Sequence, residues 1–258
     1  MVTSELLSTF PLLKSLPKAA LVTLAEQCSL KKFSRRGIVL TAGESEETVC
    51  FLFEGRLQGV DFTVDGREVG IYFVEPGDYC GELGVFDRGP QPEYVIALTP
   101  AVVVLMPMEA MRQAMKNSAE LTNMLAIKVA NRVRQLTTQR SLLGLPNVEQ
   151  RVCHQLFLLV PDKDKITMLT SAIANPPTHM EIAIMLNLSR ETVTRVFRKL
   201  QDRQIVKRDG ATQLQISDLR ALKSLAEGDE SSEEGDAESD KVSNKELNKE
   251  PNTENQND

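Results

Sequence analysis

The chain has 258 residues, 41% of them hydrophobic but only 5% aromatic and none tryptophan, a length that fits one large or two modest domains. The longest apolar run, from Val95 to Met106, is broken by Thr99 and Pro100 and falls short of the roughly 20 residues a membrane span needs; no basic residue precedes the apolar N-terminus, so no secretory signal is expected. The net charge of −6 is a tail property: residues 227–258 hold 12 acidic residues and 3 lysines, the remaining body is net +3, and a nucleic-acid partner stays open. A cytoplasmic protein without a membrane partner is the expectation.

The segment from Leu12 to Gln27 reads as a short helical lead-in. From about Val22 to Met108 short apolar runs are punctuated by glycine: Ile38-Val39-Leu40, Val49-Cys50-Phe51-Leu52-Phe53, Ile71-Tyr72-Phe73-Val74, Val95-Ile96-Ala97-Leu98 and Val102-Val103-Val104-Leu105. Such spacing predicts strands of a sandwich or barrel, with Asp65-Gly66 as a hairpin turn. From about Glu109 to Leu143 the periodicity turns helical. Leu121, Leu125, Val129, Val133, Leu136 and Leu143 form one narrow apolar stripe, which calls for a partner helix and points to a homodimer seam. Gly144 to Asn147 breaks that helix, and another runs from Val148 to Val160. Residues 161–165 end it. The tail from 227 to 258 has too few apolar residues to offset its ordering entropy and is expected to be disordered.

No Cys-x-x-Cys pair occurs among Cys28, Cys50, Cys80 and Cys153, and the histidines are only His154 and His179. Zinc and iron–sulfur sites therefore lack ligand spacing, and no required cofactor is expected. Neither a catalytic Ser/His/Asp arrangement nor a phosphate-cradling glycine loop is present, so an enzyme is not expected.

Function concentrates between Pro176 and Ile216. Thr178 with Glu181 three residues on is a capping box, followed by apolar Ile182, Met185 and Leu186. Asn187 suits the left-handed backbone of a tight turn, and Ser189 can cap a second helix. Val193, Val196, Phe197 and Leu200 then make a buried stripe, with Arg190, Glu191, Thr194, Arg195 and Arg198 on the other faces. Ile205 to Ile216, turning at Asp209-Gly210, reads as a hairpin. Helix, turn, helix and wing is a DNA-reading arrangement, and residues 178–208 carry a local charge of +4, the electrostatic term that phosphate binding needs. Candidate DNA-contact residues are Thr178, His179, Ser189, Arg190, Glu191, Thr192, Thr194, Arg195, Arg198 and Lys199. An arginine can bond guanine through two atoms and a glutamate can accept from cytosine. Arg190 and Arg195, five residues apart, address different base pairs.

Ser189-Arg190-Glu191-Thr192-Val193-Thr194-Arg195, together with Pro76-Gly77-Asp78-Tyr79-Cys80-Gly81-Glu82-Leu83-Gly84-Val85-Phe86, resembles the family of the cyclic-AMP receptor protein and the fumarate–nitrate regulator, over about residues 21–216. The resemblance implies an α+β chain. Its parts would be a double-stranded β-helix (jelly-roll) sensor over 1–116, a dimerisation helix over 117–145 and a winged helix-turn-helix over 146–226. It also implies a homodimer that binds TGTGA-like palindromes, works with RNA polymerase and regulates transcription. Candidate ligand residues are Gly81, Glu82, Leu83, Arg88, Leu136 and Thr137. Family members that bind cyclic AMP place an Arg-Ser pair against the phosphate. Here Pro92 and Glu93 hold those places, and like charges cost about 4 kcal/mol at ~4 Å in a partly buried pocket. Leu136 likewise replaces one of two hydroxyls facing adenine. Cyclic AMP binding in the usual mode is not expected; the effector is another ligand such as cyclic di-GMP, or none. The competing class is a cyclic-nucleotide module acting on a protein partner, against which the basic winged helix argues.

Overall fold

The computed structural model describes residues 1–45, 47–161, 169–210 and 212–228. The chain opens with α1 (Ser4–Ser8), capped by the Thr3 hydroxyl, a 3-10 turn at Pro11–Leu13 and α2 (Lys18–Gln27). The strands β1 (Ser29–Phe33), β2 (Ile38–Leu40), β3 (Thr48–Glu54), β4 (Leu57–Phe62), β5 (Glu68–Val74) and β6 (Tyr79–Cys80) follow. The short helix α3 (Leu83–Asp87) precedes β7 (Tyr94–Ala97) and β8 (Ala101–Pro107). The β region thus starts at Ser29 rather than near Val22, because Leu21, Leu24 and Ala25 recur at helical spacing and are buried together.

The strands make two four-stranded antiparallel sheets, ordered β1-β8-β3-β6 and β2-β7-β4-β5. This is the expected jelly-roll layering. Residues of β3 lack polar alternation because the strand is covered on both faces. Cys50 and Leu52 point between the sheets with Leu57, Val74, Val95 and Val103. Val49 and Phe51 point the other way, toward Phe10, Leu13, Met111 and Leu121. The Phe51 ring lies 5.1 Å from that of Phe10 and 5.5 Å from that of Tyr79. Between β3 and β4 Gly55 has φ +94°, and a Cβ there would come within 2.4 Å of the Pro100 carbonyl oxygen; only glycine fits. Asp65-Gly66 does close the β4–β5 hairpin, with Gly66 at φ +76° and the Thr63 amide donating to the Arg67 carbonyl.

The single helix expected from 109 to 143 is two, α4 (Met108–Asn117) and α5 (Ala119–Leu143). Ser118 separates them in an extended conformation, its side chain accepting from the Leu121 amide, an N-cap that satisfies an orphan donor. The apolar stripe divides too. Leu121 and Leu125 are fully buried on their own domain, whereas Val133 and Leu136 are 59% and 43% exposed.

Next come α6 (Val148–Leu158), β9 (Ser171–Ala174), α7 (His179–Leu186), α8 (Arg190–Asp202), β10 (Val206–Asp209), β11 (Gln213–Ile216) and α9 (Leu219–Glu227). Neither β9 nor α9 is anticipated by sequence periodicity. β9 extends the hairpin to the order β10-β11-β9, and α9 packs on α6. Glu227, the first residue of the expected tail, still belongs to α9; the rest of that tail, 229–258, and most of the break at 161–165 lie outside the described residues. By packing, the chain separates into Met1–Gly144 with Pro177–Val193, and Leu145–Pro176 with Thr194–Asp258. α7 falls in the first unit, against β5.

Candidate nucleic-acid interface and effector site

α7 begins as the capping box predicts. The Glu181 amide donates to the Thr178 hydroxyl at 3.3 Å, and the Thr178 amide donates to the Glu181 carboxylate at 2.7 Å. Ile182, Ala183, Met185 and Leu186 are buried. Asn187 is left-handed, φ 51° and ψ 50°, which sharpens the turn. Ser189 caps α8, accepting from the Thr192 amide at 3.1 Å, and its hydroxyl meets that of Thr192 at 2.9 Å. Ser189 and Thr192 therefore shape the helix start. Along α8, Val193, Val196, Phe197 and Leu200 are buried. Arg190, Glu191, Arg195, Arg198 and Lys199 are exposed, and Thr192 and Thr194 are half-buried.

Glu191, Arg195 and Arg198 recur at three and four residues, so one polar face runs along the helix. It offers fixed donors of the kind that read guanine edges and bind phosphate, at an N-terminus that itself favours anions. Lys199 is the exception, since its ammonium lies 2.6 Å from Glu149 on α6. Thr178 is exposed and His179 half-buried at the start of α7. Lys207 and Arg208 on β10 are exposed on the wing.

A candidate effector site is assembled from the N-terminal β domain and α5. Glu82 is 0% exposed, and neither of its carboxylate oxygens receives a hydrogen bond from the described residues. Arg132 of α5, 8% exposed, places one guanidinium nitrogen 3.4 Å from Glu82 and another 3.4 Å from Glu93. The guanidinium carbon lies 3.7 Å over the centre of the Tyr72 ring. The Tyr72 hydroxyl donates to Glu93 in a short hydrogen bond, and the Gln91 side-chain amide donates to the same carboxylate at 3.0 Å. Opposite Tyr72 on β4, Gly59 leaves room for the ring, since a Cβ there would sit 2.4 Å from it. Burial pushes the Glu93 carboxyl up, while the bond from Tyr72 and the charge of Arg132 pull it down. Burial also lifts the Tyr72 phenol well above its usual range.

Of the candidate ligand residues, Glu82 sits in this site and Gly81 (φ +79°) precedes it. Leu83 starts α3 and is half-buried. Arg88 ends the same helix in a left-handed conformation and is exposed. Leu136 is exposed, and the Thr137 hydroxyl donates to the Val133 carbonyl of its own helix. The structure instead brings Arg132, Tyr72 and Gln91 to the pair of glutamates. Arg132 had a sequence signal: it lies seven residues after buried Leu125, in the register of the inward face. Pro92 is exposed while Glu93 is buried. Among the described residues no helix is long and apolar enough to cross a membrane, and no group of three or more His, Cys, Asp or Glu could hold a metal ion.

A model of the cyclic nucleotide-binding domain matches residues 30–118, and one of the Crp-like helix-turn-helix domain matches residues 150–225. The cAMP-activated global transcriptional regulator CRP of Pasteurella multocida is 26% identical over 186 residues, 72% of this chain and 88% of that protein. The cAMP-activated global transcriptional regulator Vfr of Pseudomonas aeruginosa is 28% identical over 206 residues, 78% of this chain and 94% of that one. The solved structure of FixK2 from Bradyrhizobium japonicum shares the fold with a TM-score of 0.63 at 23% identity, over 77% of this chain and 96% of that chain. The chain belongs to the cyclic-AMP receptor protein and fumarate–nitrate regulator family of transcription regulators, with a cyclic nucleotide-binding domain and a DNA-binding helix-turn-helix.

Proposed function

We propose that the protein acts as a homodimer on a palindromic TGTGA-like site, reading bases from α8, and recruits or blocks RNA polymerase in the cytoplasm without a catalytic step of its own. The observation that carries this reading is the polar face of α8, with Arg190, Glu191, Thr194, Arg195 and Arg198 opposite the buried stripe. Thr178, His179, Ser189, Thr192 and Lys199 complete the proposed contact set, Ser189 and Thr192 through the helix start they shape. A gel-shift panel tests it: the protein binds TGTGA palindromes in preference to scrambled duplexes, and equal binding to both rejects the reading. Arg195→Ala is expected to cost about 1–3 kcal/mol and to relax specificity at one base pair. Weakening that is uniform across sequences would make Arg195 a phosphate contact instead.

The sensor does not take cyclic AMP in the usual mode. The carboxylate of Glu93 is buried beside that of Glu82, where an anionic phosphate would meet a like charge. The domain works without a diffusible ligand or answers another one, such as cyclic di-GMP held away from these two carboxylates. Calorimetry with cyclic AMP, cyclic GMP and cyclic di-GMP separates these cases, and tight cyclic AMP binding overturns the reading of Glu93. A cyclic-nucleotide module that regulates a protein partner is the second reading, and the polar, DNA-suited face of α8 disfavours it.

A further inference from the structure

We infer that the effector site of this chain is a guanidinium receptor, filled in cis by its own Arg132. This deepens the reading that the sensor does not take cyclic AMP in the usual mode. The guanidinium carbon of Arg132 lies 3.7 Å over the centre of the Tyr72 ring, with Glu82 and Glu93 each 3.4 Å from a different nitrogen. An aromatic face flanked by two carboxylates is the environment a planar, delocalised cation selects. The surroundings hold it open for that guest. Tyr72 and Gln91 both donate to Glu93, which fixes that carboxylate. Glu82, fully buried, receives no hydrogen bond from the described residues. Its carboxylate is a buried acceptor whose ion-pair partner among the described residues is Arg132. A carboxylate in that position is costly unless a cation pairs with it.

The consequence is a site with inverted ligand preference. An anionic phosphate finds two carboxylates, whereas a small guanidinium or amidinium cation finds a ring and two acceptors once Arg132 is removed. In the intact protein the guest is tethered to α5, so the long helix is held to the sensor sheets without a diffusible effector.

The test uses the full-length protein and methylguanidinium as the probe, read by thermal unfolding and calorimetry without DNA. This keeps it independent of the DNA-binding reading. Arg132→Ala is expected to lower the melting temperature by about 10 °C, because it leaves buried carboxylates without their cation. Methylguanidinium then binds the variant with a Kd on the order of 1 mM and, at tenfold excess, restores about 4 °C. Urea at the same concentration restores nothing, and the wild-type protein shows no saturable heat with the probe. Adding Glu93→Gln to Arg132→Ala weakens probe binding at least tenfold. Should Arg132→Ala not fold, the intact protein still decides the matter by NMR. A guanidinium held in this way gives an Arg132 Nε–H signal protected from solvent exchange, and Glu93→Gln removes the protection. Overturning results are an unprotected Arg132 signal, no saturable rescue of a folded Arg132→Ala, or cyclic AMP binding to that variant more tightly than methylguanidinium does.

Discussion

Phe51→Ala is expected to lower the stability of the sensor by about 3–5 kcal/mol, the cost of deleting a large buried ring and leaving a cavity. Phe51 is fully buried, on the helix-facing side of β3, with the rings of Phe10 and Tyr79 at 5.1 and 5.5 Å. Those rings lie on the N-terminal segment and on β6, so the truncation strips contacts from three elements and no one of them can close the gap. Phe53, two residues along the same strand, is 46% exposed, and its truncation should cost about 1 kcal/mol or less. Urea unfolding followed by far-UV circular dichroism measures both. Equal losses at the two positions would show that the helices do not cover β3 as described.

Val133→Glu is expected to convert the protein to a monomer and to weaken binding to a palindrome by a factor of about 100 or more, because two half-sites no longer bind as one unit. On α5, Val133 and Leu136 are 59% and 43% exposed, although the preceding turns bury Leu121 and Leu125 completely. An apolar row that emerges from its own domain along a long helix is the surface a second copy would cover. A glutamate in such a seam faces its symmetry mate, and the two charges are stripped of water together. Light scattering gives the mass, and gel shift on single and paired half-sites gives the affinity ratio. A variant that stays dimeric with undiminished palindrome binding places the seam elsewhere. Unlike Phe51→Ala, this change should leave the folding stability of each subunit nearly intact, since Val133 is already exposed.

The helix-turn-helix was the most legible part of the chain. Its signals are local: Thr178 with Glu181, Asn187 at the turn, Ser189 at the cap and apolar residues at helical spacing on each helix. Each acts across three or four residues, and each appears in the structure where periodicity puts it. The jelly-roll strands were legible for a related reason, because glycines at positive φ mark the turns between apolar runs. Less visible were features without a local signature. β9 is four residues long and half-buried, too short to show a period. The α4–α5 break rests on Ser118, whose capping role looks, in sequence, like one more polar residue in a helix.

The effector site shows the limit most clearly. Pro92 and Glu93 announced that a phosphate would be unwelcome, but nothing in the order of residues says what fills the space. Glu82, Glu93 and Arg132 meet only because the fold brings the residue after β6 and the residue before β7 to the same place and the pitch of α5 turns the third inward. Cys50 and Cys80, thirty residues apart, similarly face each other across β3 and β6. Composition and short-range spacing by themselves determined a β-rich part, a helix-turn-helix with a basic polar face and an acidic tail sequence, since capping, turning and amphipathic burial are decided among near neighbours. Only the tertiary structure decided that the sensor holds its own arginine between two carboxylates, because burial and ion pairing depend on which distant segments the fold brings within a few ångströms.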